Sequence, residues 1–418
     1  MKTGSDVYNF LGAELQASFA ACDNFDELVA SSITELPDAE FELRRTRHGS
    51  IERFFRTTKR IFERCVSGGY SDDLRRLILH DSHSFVPAGL YELLPAEAWT
   101  TPLFYRTDES KSGRVFELQC PGSGWGDLPL LSALYRQLSP HKYLNTFAPE
   151  AAVASDIATV CGAENPVVLH LLDNASNPAS MKYLMSRTQP PLFYCGFSRE
   201  AANAKAQFVR SHSVFGLISE NLFRTRLQRC ARQELWFDCP PLVIFDQKMM
   251  LCLPFLEETM AEFDDSIREI LVYSYPVTGA GFRDVDGHWV TIEAFLARRP
   301  SERRYFLKYA GSDTNRNWGS RGVHRLNNNK AESILKSAVA DAQQGLPWLI
   351  QPEISEKETV RFYSRAIDEV ASSSITAKYS TFYGPSGMVG LRTMHRNHHN
   401  VHGQRDTVIG LAVPIPPS

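Results

Sequence analysis

The sequence predicts a mixed fold, α/β joined to α+β, in three parts. A helical region covers residues 1–100, a parallel-sheet α/β region covers 101–245, and an antiparallel α+β module covers 246–418. Three observations lead there. Apolar residues recur at helical spacing through the first hundred positions. Short continuous apolar runs then alternate with helical stretches between 166 and 245, as in strands buried on both faces of a parallel sheet. After Asp246, strands follow one another with few helices between them, which favours antiparallel pairing.

Bulk properties narrow the class. Hydrophobic residues are 43% and charged residues 22% of 418 positions, the balance of a chain that buries a core. The formal net charge is −3 and the pI about 6.5. Neither nucleic acid nor an anionic membrane is therefore an expected partner. No apolar run reaches the roughly 18 residues a membrane span needs; LVIFDQKMMLCLPFL is broken by Asp246, Gln247 and Lys248. The N-terminal MKTGSDVYNFLGAEL lacks the apolar stretch of a secretory signal. Eight scattered cysteines without a C-x-x-C pair read as reduced core thiols. A cytoplasmic location is the expectation, with a two-fold homodimer as the default assembly.

In the first part, SIERFFRTTKRIFERCVSGG places Ile51, Phe54, Phe55, Ile61, Phe62 and Cys65 on one helical face and stops at Gly68-Gly69. SDDLRRLILHDSH begins a second helix with Ser71 as its N-cap. No chemistry stands out in this region.

In the second part, GRVFELQCPGSGWGDLPLLSALYRQL reads as strand, glycine-bearing turn and helix. Glu117 and Gln119 alternate outward near the strand end, and Gly124 sits in the turn. Ends of such strands line ligand sites in open sheets, although an ordinary tight connection has the same pattern. PVVLHLLDN, LFYCGF, VFGLI and PPLVIF read as short strands, and NPASMKYLMSRT and REAANAKAQFVRS as helices. Asp173–Asn177, which includes Asn174, is a second strand end of this kind.

In the third part, DQKMMLCLPFLEETMAEF reads as an amphipathic helix and ILVYSYPVTGAGF as an extended segment. The stretch YFLKYAGSDTNRNWGSRGVHRL runs from strand to strand through a loop of small residues, Gly311, Ser312, Gly319, Ser320 and Gly322. Backbone N–H groups of such a loop can converge on phosphate oxygens. Lys308 adds a point charge just before it, with Arg316 and Arg321 inside it. G-x-x-x-x-G-K-[ST] is absent, and a polar hairpin is the competing reading. The helix NKAESILKSAVADAQQG and the strands PWLIQPEI, TVRFYSRAIDE, SITAKYSTFY and MVGLRTMHRN follow. The tail VPIPPS reads as too proline-rich for a packed element.

The order of these segments resembles the ATP-grasp superfamily. That family runs from a D-x-K segment to a P-x-T-like strand. A [VF]-L-K strand and a G-x-G-V loop follow, then a strand entering a Q-x-E hinge. Asp246-Gln247-Lys248, Pro276-Val277-Thr278, Phe306-Leu307-Lys308, Gly319–Val323 and Leu349–Glu353 occupy those places. GMVGLRTMHRNHHNVHGQRDTVIG further resembles the end of glutathionylspermidine-synthetase-like, circularly permuted members, with Gly390, Arg392, Asn400, Gly403, Arg405 and Asp406-Thr407-Val408 in comparable positions.

The resemblance implies an ATP-dependent, ADP-forming carboxylate–amine ligase that uses ATP and Mg2+ and forms an amide or peptide bond. Residues 101–245 would be its pre-ATP-grasp substrate domain and 246–418 its nucleotide-binding domain. Lys248 and Lys308 would bind phosphates. The loop with Ser312, Gly319, Ser320, Gly322 and Val323 would close over them. Gln351, Glu353 and Ile354 would hold the adenosine, and Arg392, with Lys308, would act on the transferred group. Glu117, Gly124 and Asn174 would line the acid site. The family's E-x-N metal pair is not found in this sequence. Asp368, Glu369, Asn397, Asn400 and Asp406 are the oxygen donors on hand, with Asp406 and Asn400 the selected pair.

Two other classes share these features. A small-molecule kinase would stop at phosphoryl transfer, and a nucleotide-binding protein without turnover would account for the missing E-x-N. His395, His398, His399 and His402 fall at one-face helical spacing, but Gly403 and the asparagines favour a turn over a transition-metal site.

Overall fold

The structure, a computed structural model, describes residues 3–18, 27–79, 101–120, 124–138, 141–145, 147–164, 168–171, 183–184, 186–188, 207–211, 220–239, 242–311, 321–354, 356–364, 367–398 and 406–415, with single residues 166, 316 and 401. The described elements open with helix α1 (Gly4–Ser18), strands β1 (Leu28–Ala30) and β2 (Thr34–Leu36), and helices α2 (Asp38–Thr46), α3 (His48–Val66) and α4 (Asp72–Leu79). Strands β3 (Tyr105–Glu109) and β4 (Val115–Gln119) follow, then α5 (Asp127–Leu138) and α6 (Pro149–Cys161). β5 (Val168–Leu171), β6 (Phe208–Ser211) and β7 (Trp236–Phe237) come next. The remainder is β8 (Tyr275–Pro276), β9 (Phe282–Arg283), β10 (Trp289–Val290), β11 (Tyr305–Tyr309), β12 (Val323–Arg325), β13 (Trp348–Pro352), β14 (Glu356–Tyr363), β15 (Val370–Gly384), β16 (Gly387–Arg396) and β17 (Val408–Pro414), with helices at Asp265–Ile270, Ile292–Ala297 and Ala331–Gln343 and one before β7 at Glu220–Ala231.

The mixed α/β and α+β class is what the chain adopts. A large sheet runs β14-β1-β17-β16-β15-β3-β4, with β2 beside β17. β3, β14, β15, β16 and β17 pair antiparallel, whereas β1 and β2 join β17 in parallel. A further β14–β15 ladder closes five of these strands into a ring. Ala30, Val360, Ile375 and Val408 pack together within it. β5, β6 and β7 form a separate parallel sheet, and β12-β11-β13-β8 an antiparallel one.

Apolar periodicity explains the layers. Leu128, Leu131, Leu134 and Tyr135 of α5 and Val153 and Ile157 of α6 pack on one side of the large sheet with Val7 and Leu11 of α1. Ile51, Phe54, Phe55, Ile61 and Phe62 of α3 bury the stripe read from the sequence, against Tyr105 and the segment 242–256. Arg47 ties α3 to the sheet through Glu109 Oε1 at 2.5 Å and Tyr383 Oη at 2.9 Å. The N-cap of α4 is Ser71, whose Oγ accepts from Leu74 N at 3.2 Å.

Several local expectations are corrected. The first hundred residues contribute β1 and β2 as well as helices; three-residue strands are too short to display a period of two. DQKMMLCLPFLEETMAEF is not an amphipathic helix but 3-10 turns at Val243–Asp246, Lys248–Phe255 and Met260–Glu262. Pro254 removes a donor and the run from Lys248 to Pro254 is buried all round, so no polar face exists for a surface helix. The same turns replace the strand expected at PPLVIF. Val413 and Pro414 belong to β17, with Pro414 in register with Leu36, so the tail begins inside a packed element. LFYCGF, VFGLI and most of NPASMKYLMSRT lie outside the described residues.

Candidate functional site

β11 is a five-residue strand buried throughout, YFLKY, and its pairing with β13 sets Lys308 opposite Leu349 and Phe306 opposite Gln351. Lys308 Nζ donates to Gln351 Oε1 at 2.6 Å and to Phe116 O at 3.2 Å. Gln351 Nε2 donates to Ser274 Oγ at 2.9 Å, and Ser274 Oγ donates to Val272 O at 3.0 Å. That chain fixes which end of the Gln351 amide faces the lysine. Burial pushes the Lys308 ammonium down to about 8; Glu117 opposes the fall and Lys248 adds to it.

Lys308, Gln351 and Phe116 line a cleft with Phe306, Val323, Pro352, Ile354, Glu117, Glu356 and Lys378. Phe116 reaches it because the β3–β4 register shifts between Asp108 and Glu109, leaving Phe116 as the extra residue of a bulge. Lys248 Nζ lies 3.3 Å from Glu117 Oε1. Burial alone would raise the Glu117 carboxyl, but Lys248, Lys308 and Lys378 together hold it below its ordinary value.

From the cleft a charged stripe crosses the sheet. Residues directly opposite in a ladder share a face, and Glu117 faces Asp108, Asp108 faces Ser380, and Ser380 faces Arg392. Asp108 is fully buried and accepts from Arg106 Nε at 2.9 Å, Arg106 Nη2 at 3.0 Å, Ser380 Oγ at 2.7 Å and Lys378 Nζ at 2.8 Å. Burial by itself would raise that carboxyl; Arg106 and Lys378 draw it far below the usual range.

At the far end Arg392 pairs with Asp127 at the start of α5 and lies 5.5 Å from the Phe382 ring centroid. Gly124 is required there twice over. Its φ is +84°, and a Cβ would stand 2.5 Å from Arg392 Nη1. Beyond Phe382, Trp125 packs edge-on at 5.1 Å, and Arg210 of β6 lies 4.7 Å from Trp125 and 4.9 Å from Phe104. Arg210 Nη1 and Nη2, Trp125 Nε1 and Arg392 Nε are buried donors without a partner among the described residues. Burial pushes Arg210 down to about 10 against the pull of Asp238.

The structure therefore brings Lys308, Val323, Gln351, Ile354 and Glu117 to one cleft, with Lys248 behind Glu117, and Gly124 and Arg392 to the other end of one stripe. Gly322 lies beside it, its carbonyl accepting from Tyr309 N at 2.7 Å. Glu353 is turned away and engaged by Arg325, with Nε 3.0 Å from Oε2. Asp406 holds Arg396 Nε with both oxygens at 2.9 Å and is exposed. Ser312, Gly319, Ser320, Asn400 and Asn174 lie outside the described residues. His395 is buried, with its Nε2 3.2 Å from Glu358 Oε2.

Sequence reading missed Arg106, Asp108, Lys378, Trp125 and Arg210. The signal available was charge within strands: Tyr105–Glu109 buries Arg106, Asp108 and Glu109 in five consecutive buried positions.

Among the described residues no helix is long and apolar enough to cross a membrane. No protein-family model and no curated protein matches the chain. Among solved structures it is similar to the apo form of a glutathione synthetase-like effector from Globodera pallida, at TM-score 0.56 and 12% identity, over 99% of this chain and 98% of that one. A candidate gamma-glutamylcysteine synthetase from Methylobacillus flagellatus KT matches at TM-score 0.34 and 11% identity over 86% of each chain, too low a score to support a fold relationship. The first likeness shows a shared fold.

Proposed function

We propose that the protein is an ATP-dependent, ADP-forming ligase that joins a small-molecule carboxylate to an amine. The observation that carries this is the stripe itself. At one end Lys308 and Lys378 line the cleft with Glu117 and Glu356, and Lys248 beside Glu117 and Arg106 beside Asp108 stand behind them, so that the cations exceed the carboxylates by one, which suits a polyphosphate. At the other end the donors of Arg392, Arg210 and Trp125 suit a carboxylate. The fold shared with a glutathione synthetase-like effector supports a ligase at the coarse level.

On this reading Lys248 and Lys308 hold the phosphates, and Gln351 keeps the Lys308 charge aimed into the cleft. Phe306, Val323, Pro352 and Ile354 bracket the base. Backbone groups of 351–354 set its edge, and Ser312, Gly319, Ser320 and Gly322 close over the phosphates. Glu353 acts on this wall through Arg325.

Magnesium fits one part of the site. Glu117 is a carboxylate on the cleft wall and offers its Oε2, since Lys248 lies 3.3 Å from Oε1 and the Gln119 amide nitrogen faces that same oxygen at 3.4 Å. Bound there, the ion would neutralise polyphosphate charge. Asp406 and Asn400 are less suited, since Arg396 occupies Asp406.

The acid's carboxylate oxygen attacks the γ-phosphorus, the bond to the β,γ-bridging oxygen breaks, and its electron pair leaves with ADP. The amine nitrogen then bonds to the acyl carbon as phosphate departs with the C–O pair, and the surplus ammonium proton is released. Arg392 stabilises negative charge on the acyl oxygens in both steps.

Calorimetric titration with Mg-ATP tests this. Lys308→Ala should weaken binding at least about ten-fold, the worth of a charged hydrogen bond. Screening acid–amine pairs should then find ADP and free phosphate released together. Wild-type protein that binds no nucleotide, or a variant that binds as tightly, would overturn the proposal. ADP release with the acid alone and no free phosphate would instead identify a kinase.

A further inference from the structure

We propose that Lys378 is the residue that contacts the phosphoryl group during transfer; this rests on the nucleotide reading above. Lys378 lies on β15 and lines the cleft with Lys308 and Phe116. It is 6% exposed, yet its ammonium makes one hydrogen bond among the described residues, to Asp108 Oδ2 at 2.8 Å. An ammonium carries three donors, and buried donors left unmatched are costly.

Asp108 does not need the lysine. Arg106 reaches both of its oxygens, and Ser380 takes one of them again at 2.7 Å. A residue present only to neutralise Asp108 would therefore be redundant. The two uncommitted donors stand instead on the wall of a cleft.

Position gives the role. Lys378 is in register with Met394, and Ser380, next on the same face, with Arg392. Asp108, opposite Ser380, is in turn opposite Glu117. Lys378 thus stands between the Lys308–Glu117 end of the stripe and the Arg392–Asp127 end. A polyphosphate held by Lys308 and a carboxylate held by Arg392 meet there, at the γ-phosphorus. As the new oxygen–phosphorus bond forms and the bond to ADP breaks, charge spreads over the three remaining phosphoryl oxygens. The ammonium, oriented by Asp108, neutralises that charge and keeps its proton throughout.

The experiment compares calorimetric binding of Mg-AMP-PNP, a triphosphate analogue, with Mg-ADP in wild type, Lys378→Met, Lys378→Arg and Lys308→Met. Wild type should prefer the triphosphate. Lys378→Met should lose about ten-fold on AMP-PNP and keep its ADP affinity within about two-fold. Lys308→Met should lose both. Lys378→Arg, which preserves charge opposite Asp108, should keep the preference and guards against a Met variant that fails to fold. A Met variant that binds AMP-PNP like wild type, or either Lys378 variant that loses both nucleotides equally, overturns the role of Lys378 alone. Wild type that binds neither nucleotide overturns the nucleotide reading itself.

Discussion

At the scale of single residues, a buried lysine sets the pH range of the site. Burial disfavours the Lys308 charge and pushes its ammonium down to about 8. It is charged below that value and loses its proton above it. Mg-ATP affinity should therefore hold steady up to about pH 8 and fall as pH rises further. Phosphate oxygens favour the ammonium, so binding near pH 8 should take up protons, visible as a dependence of calorimetric heat on buffer ionisation enthalpy. Lys308→Gln should remove both the inflection and the uptake; an inflection that survives would assign it to another group. Lys308 and Gln351 were legible because each closes an apolar strand run with one polar residue. Lys378 and Asp108 were not, because what makes them meet is cross-strand register between residues 270 positions apart, and no local pattern encodes that. The partner of Glu353 is hidden from the sequence for the same reason. That partner, Arg325, belongs to the strand on the far side of β11.

At the scale of elements, the β4-to-α5 connection is the point where local chain geometry and the candidate acid site coincide. Gly124 takes a left-handed conformation and its missing side chain leaves room for the Arg392 guanidinium. Gly124→Ala should cost about 1–3 kcal/mol, from the positive φ together with the displaced arginine. It should also weaken the acid substrate's apparent affinity more than that of Mg-ATP. Thermal unfolding with separate substrate titrations checks this; equal losses on both substrates would place Gly124 outside the acid end. The glycines of this turn were plain in the sequence, but their partner was not, since Arg392 approaches from 268 residues away. The segment after Asp246 shows the opposite limit. Its apolar content was read correctly and its shape was not, because complete burial erases the polar face by which a helix period is recognised.

At the scale of the whole molecule, strands from both ends of the chain share one sheet. β1 lies between β14 and β17, with Val29 opposite both Tyr363 and Ile409. Val29 is fully buried. Val29→Asp should cost about 3–5 kcal/mol by burying an unpaired charge. Hydrogen exchange should show β14 and β17 loosening together, while β11 and β13 keep their protection. Exchange rising in β11 and β13 as well would mean one cooperative unit. The α/β and α+β class was legible because strand-rich and alternating regions differ in composition. The ring was not, because β1 and β2 carry only three residues each.

The parallel seam of β1 on β17 joins Leu28 to Val408. Synthesis runs from the N-terminal side, so β1 must wait through the 380 positions that separate Leu28 from Val408 before this partner exists. Until then its apolar edge is open to other chains. A chain that stops before β17 leaves the ring open at this seam.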